Sequence, residues 1–182
     1  MKPTNNSGSY LLPREVRELI AYIHSARDRI LLRILYETGC TLKELVALKV
    51  SDILGKKISV VNHSTKNVRF SHISSKLAKD IKAYILGNLL KKEDFLLSSR
   101  QGKGISEKRV RQLIQQYAMD CFSKKISAHD FRYFHIAHAY TSGVLLQNIA
   151  RQLGITSYRA FQVVEELGIS PAYNYNNFLV RV

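Results

Sequence analysis

His129 and Arg132, three residues apart, are a pair whose types could hold a phosphate. Positions i and i+3 share one face of a helix. A planar guanidinium matches two phosphate oxygens at once, and an imidazole can donate or carry a proton. The same spacing also suits a plain surface pair, or a pair stabilising carbonyls at a helix end. His135 and His138 share a face as well, but no third ligand accompanies them, so they read as structural or surface groups. No Cys/His pair stands at zinc spacing, and neither a metal nor a cofactor is expected. Cations crowd the region that leads to the pair. Between Ser98 and Arg132 stand Arg100, Lys103, Lys108, Arg109, Arg111, Lys124 and Lys125, with only Glu107, Asp120 and Asp130 opposing them.

The whole chain shares this bias. Its 182 residues carry 28 Lys and Arg against 14 Asp and Glu, a formal charge of +14. That is the electrostatic footprint of a protein that binds a phosphate backbone. Ribosome-type RNA association, a membrane-surface role and plain solubility are the other uses of such charge. A hydrophobic content of 46% excludes disorder by composition. No run approaches the ~18 apolar residues of a bilayer span, and Met1–Gly8 holds no apolar signal core. Two cysteines, Cys40 and Cys121, are too few for a disulfide framework. The expectation is a cytoplasmic domain, nucleoid-associated in a bacterium or archaeon, with double-stranded DNA as its partner and no membrane.

The elements that must position these groups are mostly helical. Pro13 suits a first helical turn, and Val16, Leu19, Ile20 and Ile23 follow at helical spacing. A second helix is predicted from Ala26 to Thr38, stopped by Gly39. Thr41 and Glu44 form a capping-box pattern that opens a short helix through Leu48. Ile58–Val61 and Val68–Ile73 read as strands joined by a polar hairpin loop containing Lys66. Helices are expected over about Ser75–Leu90, from a Ser106 cap to Cys121, and in three pieces from Ala128 to Leu167. The predicted organisation is a flexible segment at 1–10, one domain at 11–170 and a tail at 171–182. The fold class is mainly α with a small antiparallel β-sheet.

Three segments together resemble the catalytic domain of the tyrosine recombinase (phage integrase) family. They are Tyr36-Glu37-Thr38-Gly39-Cys40-Thr41-Leu42-Lys43-Glu44-Leu45, the hairpin bearing Lys66, and Ser127-Ala128-His129-Asp130-Phe131-Arg132 with Gly143 and Leu153-Gly154 beyond it. Gly143 lies 14 positions after His129 and Ile155 lies 26 after it, offsets at which family members place a glycine and the histidine of a Leu-Gly-His phrase. The resemblance implies a recombinase catalytic fold over about Leu11–Leu167. It also implies metal-independent DNA strand breaking and rejoining. In that chemistry a tyrosine forms a 3′-phosphotyrosyl link, two arginines clamp the phosphate, and a lysine or histidine protonates the leaving oxygen. His129, Arg132 and, in the loop, Lys66 match the pattern, with His63 as the other register for the lysine. Thr41 stands where the first arginine belongs, Ile155 where the second histidine belongs, and Val164 where the nucleophilic tyrosine belongs.

These departures point to a DNA-binding protein of recombination or integration, catalytically impaired or inactive. One alternative is an active site-specific recombinase whose nucleophile is displaced to Tyr173 or Tyr175, delivered within the chain or in trans. Lys43 could supply charge in place of the missing arginine, although helical geometry should turn it elsewhere. A second alternative is a helix-turn-helix regulator built on Leu145–Val164, reading the major groove with Ser157, Tyr158, Arg159 and Gln162. Family recombinases carry a further N-terminal helical domain with no counterpart here, so the chain is expected to be a stand-alone half or an excised piece. Phe178-Leu179-Val180 in the tail are expected to dock on a second copy or on a full-length recombinase.

Overall fold

A computed structural model describes residues 10–62, 66–99 and 103–169. Most helices begin where the sequence provides a cap or a proline, the helix that follows Leu145 being the exception. Pro13 opens α1 (Pro13–Tyr22), where its missing N–H costs nothing. The Ser25 hydroxyl accepts from the Asp28 amide at the head of α2 (Ala26–Thr38), and Gly39 ends that helix in the left-handed region at φ 59°. The Thr41 hydroxyl and Glu44 carboxylate satisfy each other's backbone amides around α3 (Leu42–Ala47).

A 3-10 turn at Val50–Asp52 leads into an antiparallel sheet of order β1-β2-β3. Its strands are β1 (Ile53–Leu54), β2 (Lys57–Val61) and β3 (Val68–His72), with Val61 opposite Val68 next to the hairpin loop. The two-residue β1 is too short to show alternation, so sequence periodicity does not reveal it. Helix α4 (Ser75–Gly87) stops short of the expected Leu90 because Asn88 caps it and Leu89 turns left-handed at φ 52°. The chain continues through α5 (Glu107–Phe122), α6 (Ala128–Thr141), α7 (Leu146–Leu153) and α8 (Ser157–Glu166).

The core has two parts. In the larger, α2 lies at the centre with Leu31, Leu32, Ile34 and Leu35 buried, joined by Leu19 of α1, Ile58 of β2 and Phe131 of α6. A smaller cluster of Ile136, Tyr140, Ile149, Leu153, Val163 and Val164 welds α6, α7 and α8 together. Each such side chain contributes roughly 1.5–3 kcal/mol by leaving water. No helix among the described residues is long and apolar enough to cross a membrane.

Candidate functional site

Helix α6 delivers the site because its N-terminus faces the loop that leaves α2. Ser127 caps α6 through Asp130, which puts His129 and Arg132 in its first turns. The Arg132 guanidinium donates from Nη1 to the Gly39 carbonyl at 2.7 Å and from Nη2 to the Leu153 carbonyl at 3.1 Å. These carbonyls sit at the C-terminal ends of α2 and α7, where the helix dipoles favour a cation. Gly39 is needed twice over. Its backbone is left-handed, and an added Cβ would collide with the Leu153 side chain.

Arg132 and exposed His129 line a cleft of about 470 Å³ with Thr41, Lys43, Glu107 and Arg111. The carboxylates bordering this cleft are already paired. Glu107 binds Arg111 at 2.6 Å, and Glu44 takes a bidentate grip from Arg69 of β3 at 2.6 and 2.8 Å. Burial pushes the Glu44 carboxyl up, but Arg69 and the Thr41 amide outweigh it and hold it below the ordinary carboxylate range. Arg69 also reaches the Gln152 carbonyl at 3.1 Å, so one side chain ties β3 to α3 and α7. Burial first, and then the charge of Arg69, pull the Arg132 pKa below its usual value. Among the described residues, neither Arg132 nor Lys43 has a carboxylate within ion-pair distance. The cleft therefore presents Arg132 and Lys43 with no matching anion among the described residues.

Not every expected residue gathers there. Lys66 is exposed in the hairpin loop in a left-handed conformation, while its neighbour Asn62 borders the cleft. Lys103, Lys108, Arg109 and Lys125 are exposed on the surface outside the cleft lining. Lys124 is tied to Glu15 at 3.0 Å and to the Tyr10 carbonyl, beside α1. Arg159 spends its guanidinium on Gln162, Glu166 and the Tyr133 hydroxyl. Arg100, Tyr173 and Tyr175 lie outside the described residues, as do His63, the 171–182 tail and most of the 1–10 segment. The Leu145–Val164 region does form two helices around left-handed Gly154, with Ala150 and Val163 buried, and Tyr158 is 70% exposed.

Lys43 is a correction. It lines the cleft instead of facing away, because α3 is only six residues long and its whole first turn borders the opening. Sequence reasoning also missed Glu44 and Arg69 as a pair, since nothing local links α3 to β3. His135 and His138 serve the α2–α6 contact. His135 Nδ1 donates to the Tyr36 carbonyl at 2.9 Å, and His138 Nδ1 shares a hydrogen bond with the Tyr36 hydroxyl at 2.9 Å. Burial drives the His138 pKa down to about 4. Among the described residues, no group of three or more His, Cys, Asp or Glu is arranged to hold a metal ion.

The sequence matches the phage integrase family over residues 9–163. The chain belongs to that family. Relatives within it include a tyrosine recombinase of Pseudothermotoga lettingae, 28% identical over 80% of this chain and 51% of its own length. Tyrosine recombinase XerD of Chlamydia pneumoniae is 30% identical over 80% of this chain and 53% of its own. The chain thus spans about half the length of these curated relatives. Among solved structures, XerA recombinase superposes with a TM-score of 0.80 at 21% identity, covering 95% of this chain and 66% of that one. XerH bound to its difH substrate gives 0.75 at 16% identity, covering 94% and 54%. These likenesses establish the integrase catalytic fold, mainly helical with a small antiparallel sheet.

Thr41, Ile155 and Val164, the positions at which the sequence is expected to depart from the family pattern, each have a defined place in the integrase fold. Thr41 is the N-cap of α3. Ile155 packs against the smaller apolar cluster, and Val164 lies inside it at 1% exposure.

Proposed function

We propose that this integrase-family chain binds double-stranded DNA at the Arg132 cleft and is catalytically impaired or inactive there. The observation that carries the reading is a half-buried arginine held by two helix-end carbonyls, open to a cleft, with no carboxylate partner among the described residues. Arg132 and His129 would take the non-bridging oxygens of one phosphodiester, with Lys43 adding a point charge and Lys66 reaching from the hairpin. Lys103, Lys108, Arg109 and Arg111 would extend contact along the backbone. Solved relatives bound to DNA, XerH on difH and a lambda integrase dimer on a COC' core site, support duplex DNA as the partner.

The impairment follows from chemistry. A threonine hydroxyl cannot replace a guanidinium fork, isoleucine can neither give nor take a proton, and valine carries no nucleophile. Loss of one preorganised charge-stabilising donor alone costs about 2.7–4 kcal/mol of barrier. What remains is phosphate binding, suited to an architectural or regulatory part in recombination, integration or replicon maintenance. The 171–182 tail would engage a second copy or a full-length recombinase. Sedimentation showing only monomer, with and without DNA, removes that part.

The test pairs binding with trapping. A labelled random-sequence duplex should bind at low salt, and a nicked duplex library should yield no covalent protein–DNA adduct in a denaturing gel. An adduct mapped to Tyr173 or Tyr175 would instead establish an active recombinase with a displaced nucleophile.

A further inference from the structure

A second groove, larger than the Arg132 cleft, lies away from it at the other end of the sheet. The hairpin loop end of β2 borders the cleft through Asn62, whereas the β1–β2 turn at Gly55 and Lys56 borders this second groove of about 730 Å³. The β2 strand between those ends runs from Lys57 to Val61, so the two openings share no residue.

The groove has an apolar floor. Ala78, Ile85 and Leu86 recur at helical spacing along one face of α4 and form one wall. Ile53 and Leu54 of β1 form the other. Leu54 is 51% exposed and Leu86 is 64% exposed, a poor arrangement for leucines unless something covers them. One turn past Leu86, Leu89 is 86% exposed and held in a left-handed backbone that costs a branched residue free energy. Every charged side chain lining the groove is a lysine: Lys56 from the turn, Lys79 and Lys82 from α4, and Lys92 from the following loop. Of the nearby carboxylates, Asp80 pairs with Arg33, Asp52 accepts from the Lys49 amide and Asp94 accepts from the Lys91 amide, while Glu93 beside Lys92 is exposed and is not part of the lining.

We infer that this groove docks an acidic amphipathic helix from a protein partner, leucine-like side chains seated on Leu54 and Leu86 and carboxylates meeting the four lysines. Charge complementarity selects that occupant. A purely apolar segment would leave four cations uncompensated, and a DNA backbone would leave the leucine floor wet. Such a partner suits a chain whose role is to be recruited or to recruit, yet the inference stands on the groove and not on the DNA reading.

The probe is a fluorescein-labelled synthetic helix with leucines at i, i+3, i+4 and i+7 and glutamates elsewhere, compared with its scrambled sequence by anisotropy on the full chain. Amide NMR shifts locate the site. The ordered peptide should bind saturably, shift Ala78 and Leu86, and lose about tenfold in affinity with Leu86→Ser, since burial of one leucine is worth that much. Lys79→Glu should weaken it as well. Leu86 is exposed, so its serine variant should keep the wild-type amide spectrum, and its duplex-DNA affinity is measured alongside to separate the two readings.

Equal binding of ordered and scrambled peptides would overturn the inference, as would indifference to Leu86→Ser. Duplex DNA shifting the same amides would assign the groove to DNA. Displacement of the probe by a peptide of residues 170–182 would assign it to the chain's own tail.

Discussion

Arg132 donates to the carbonyl oxygen of Gly39 across 93 residues of sequence, at 2.7 Å, and so pins the N-terminal half of α6 to the end of α2. The same guanidinium holds the Leu153 carbonyl, so it closes two helix ends and still faces the cleft. Structure and ligand binding therefore compete for one fork.

Gly39→Ala should be among the most damaging small substitutions in the chain. A left-handed alanine costs roughly 1–2 kcal/mol, and the collision with Leu153 adds to it. At about 2–4 °C per kcal/mol for a chain this size, the melting temperature should fall by several degrees. An unchanged melting temperature would mean the α2 end is not held as described.

Glu44 and Arg69 should behave as a coupled pair. Glu44→Gln leaves a buried guanidinium unpaired and should cost about 3–5 kcal/mol. Removing both charges with Glu44→Gln and Arg69→Met should cost less than the two single losses added together, and a double-mutant cycle in urea measures the difference. The pH dependence has a fixed sign. The folded Glu44 pKa lies below its unfolded value of ~4.3, so its stabilisation is complete above that pH and is lost as pH falls through the folded pKa. Glu44→Gln should flatten that acid arm.

His138 gives a second acid-sensitive contribution in a different window. Its folded pKa, about 4, lies below the unfolded ~6.5, so between these values the unfolded chain binds more protons. Stability should rise with pH across that interval and be lost as pH falls from 6.5 toward 4, by about 3 kcal/mol at most. His138→Gln should remove most of the slope. The remainder would come from His135, whose pKa burial also lowers.

Val164→Tyr tests whether a tyrosine restored where the family resemblance expects the nucleophile can act. Val164 is closed in by the α6–α7–α8 cluster, so the larger ring should overpack it and cost about 1–3 kcal/mol. No covalent adduct should form on nicked DNA. An adduct from this single change would show that Thr41 and Ile155 do not limit catalysis.

Much of this was legible from local chemistry. Ser25 and Gly39 bracket α2, Thr41 and Glu44 open α3, and the helical spacing of apolar residues locates the core faces. His129 and Arg132 announce themselves by type and spacing. The Arg69 position does not. In β3 the apolar Val68 and Phe70 alternate as though they were the buried face, yet both are exposed while Arg69 and Ser71 turn inward. Glu44 and the Gln152 carbonyl select that face, and both lie far away in sequence. Lys43 was obscured for a related reason, because a six-residue helix beside an opening has no fully outward side.

The most direct measurement is duplex DNA affinity across a salt series for the wild type, Arg132→Ala and Arg159→Ala, each at matched foldedness. The account predicts a steep fall of affinity with salt for the wild type. Arg132→Ala should weaken binding and lower the magnitude of the salt slope by about one, while Arg159→Ala stays near wild type. Loss of binding in Arg159→Ala with Arg132→Ala unaffected would contradict it and move the DNA to α8.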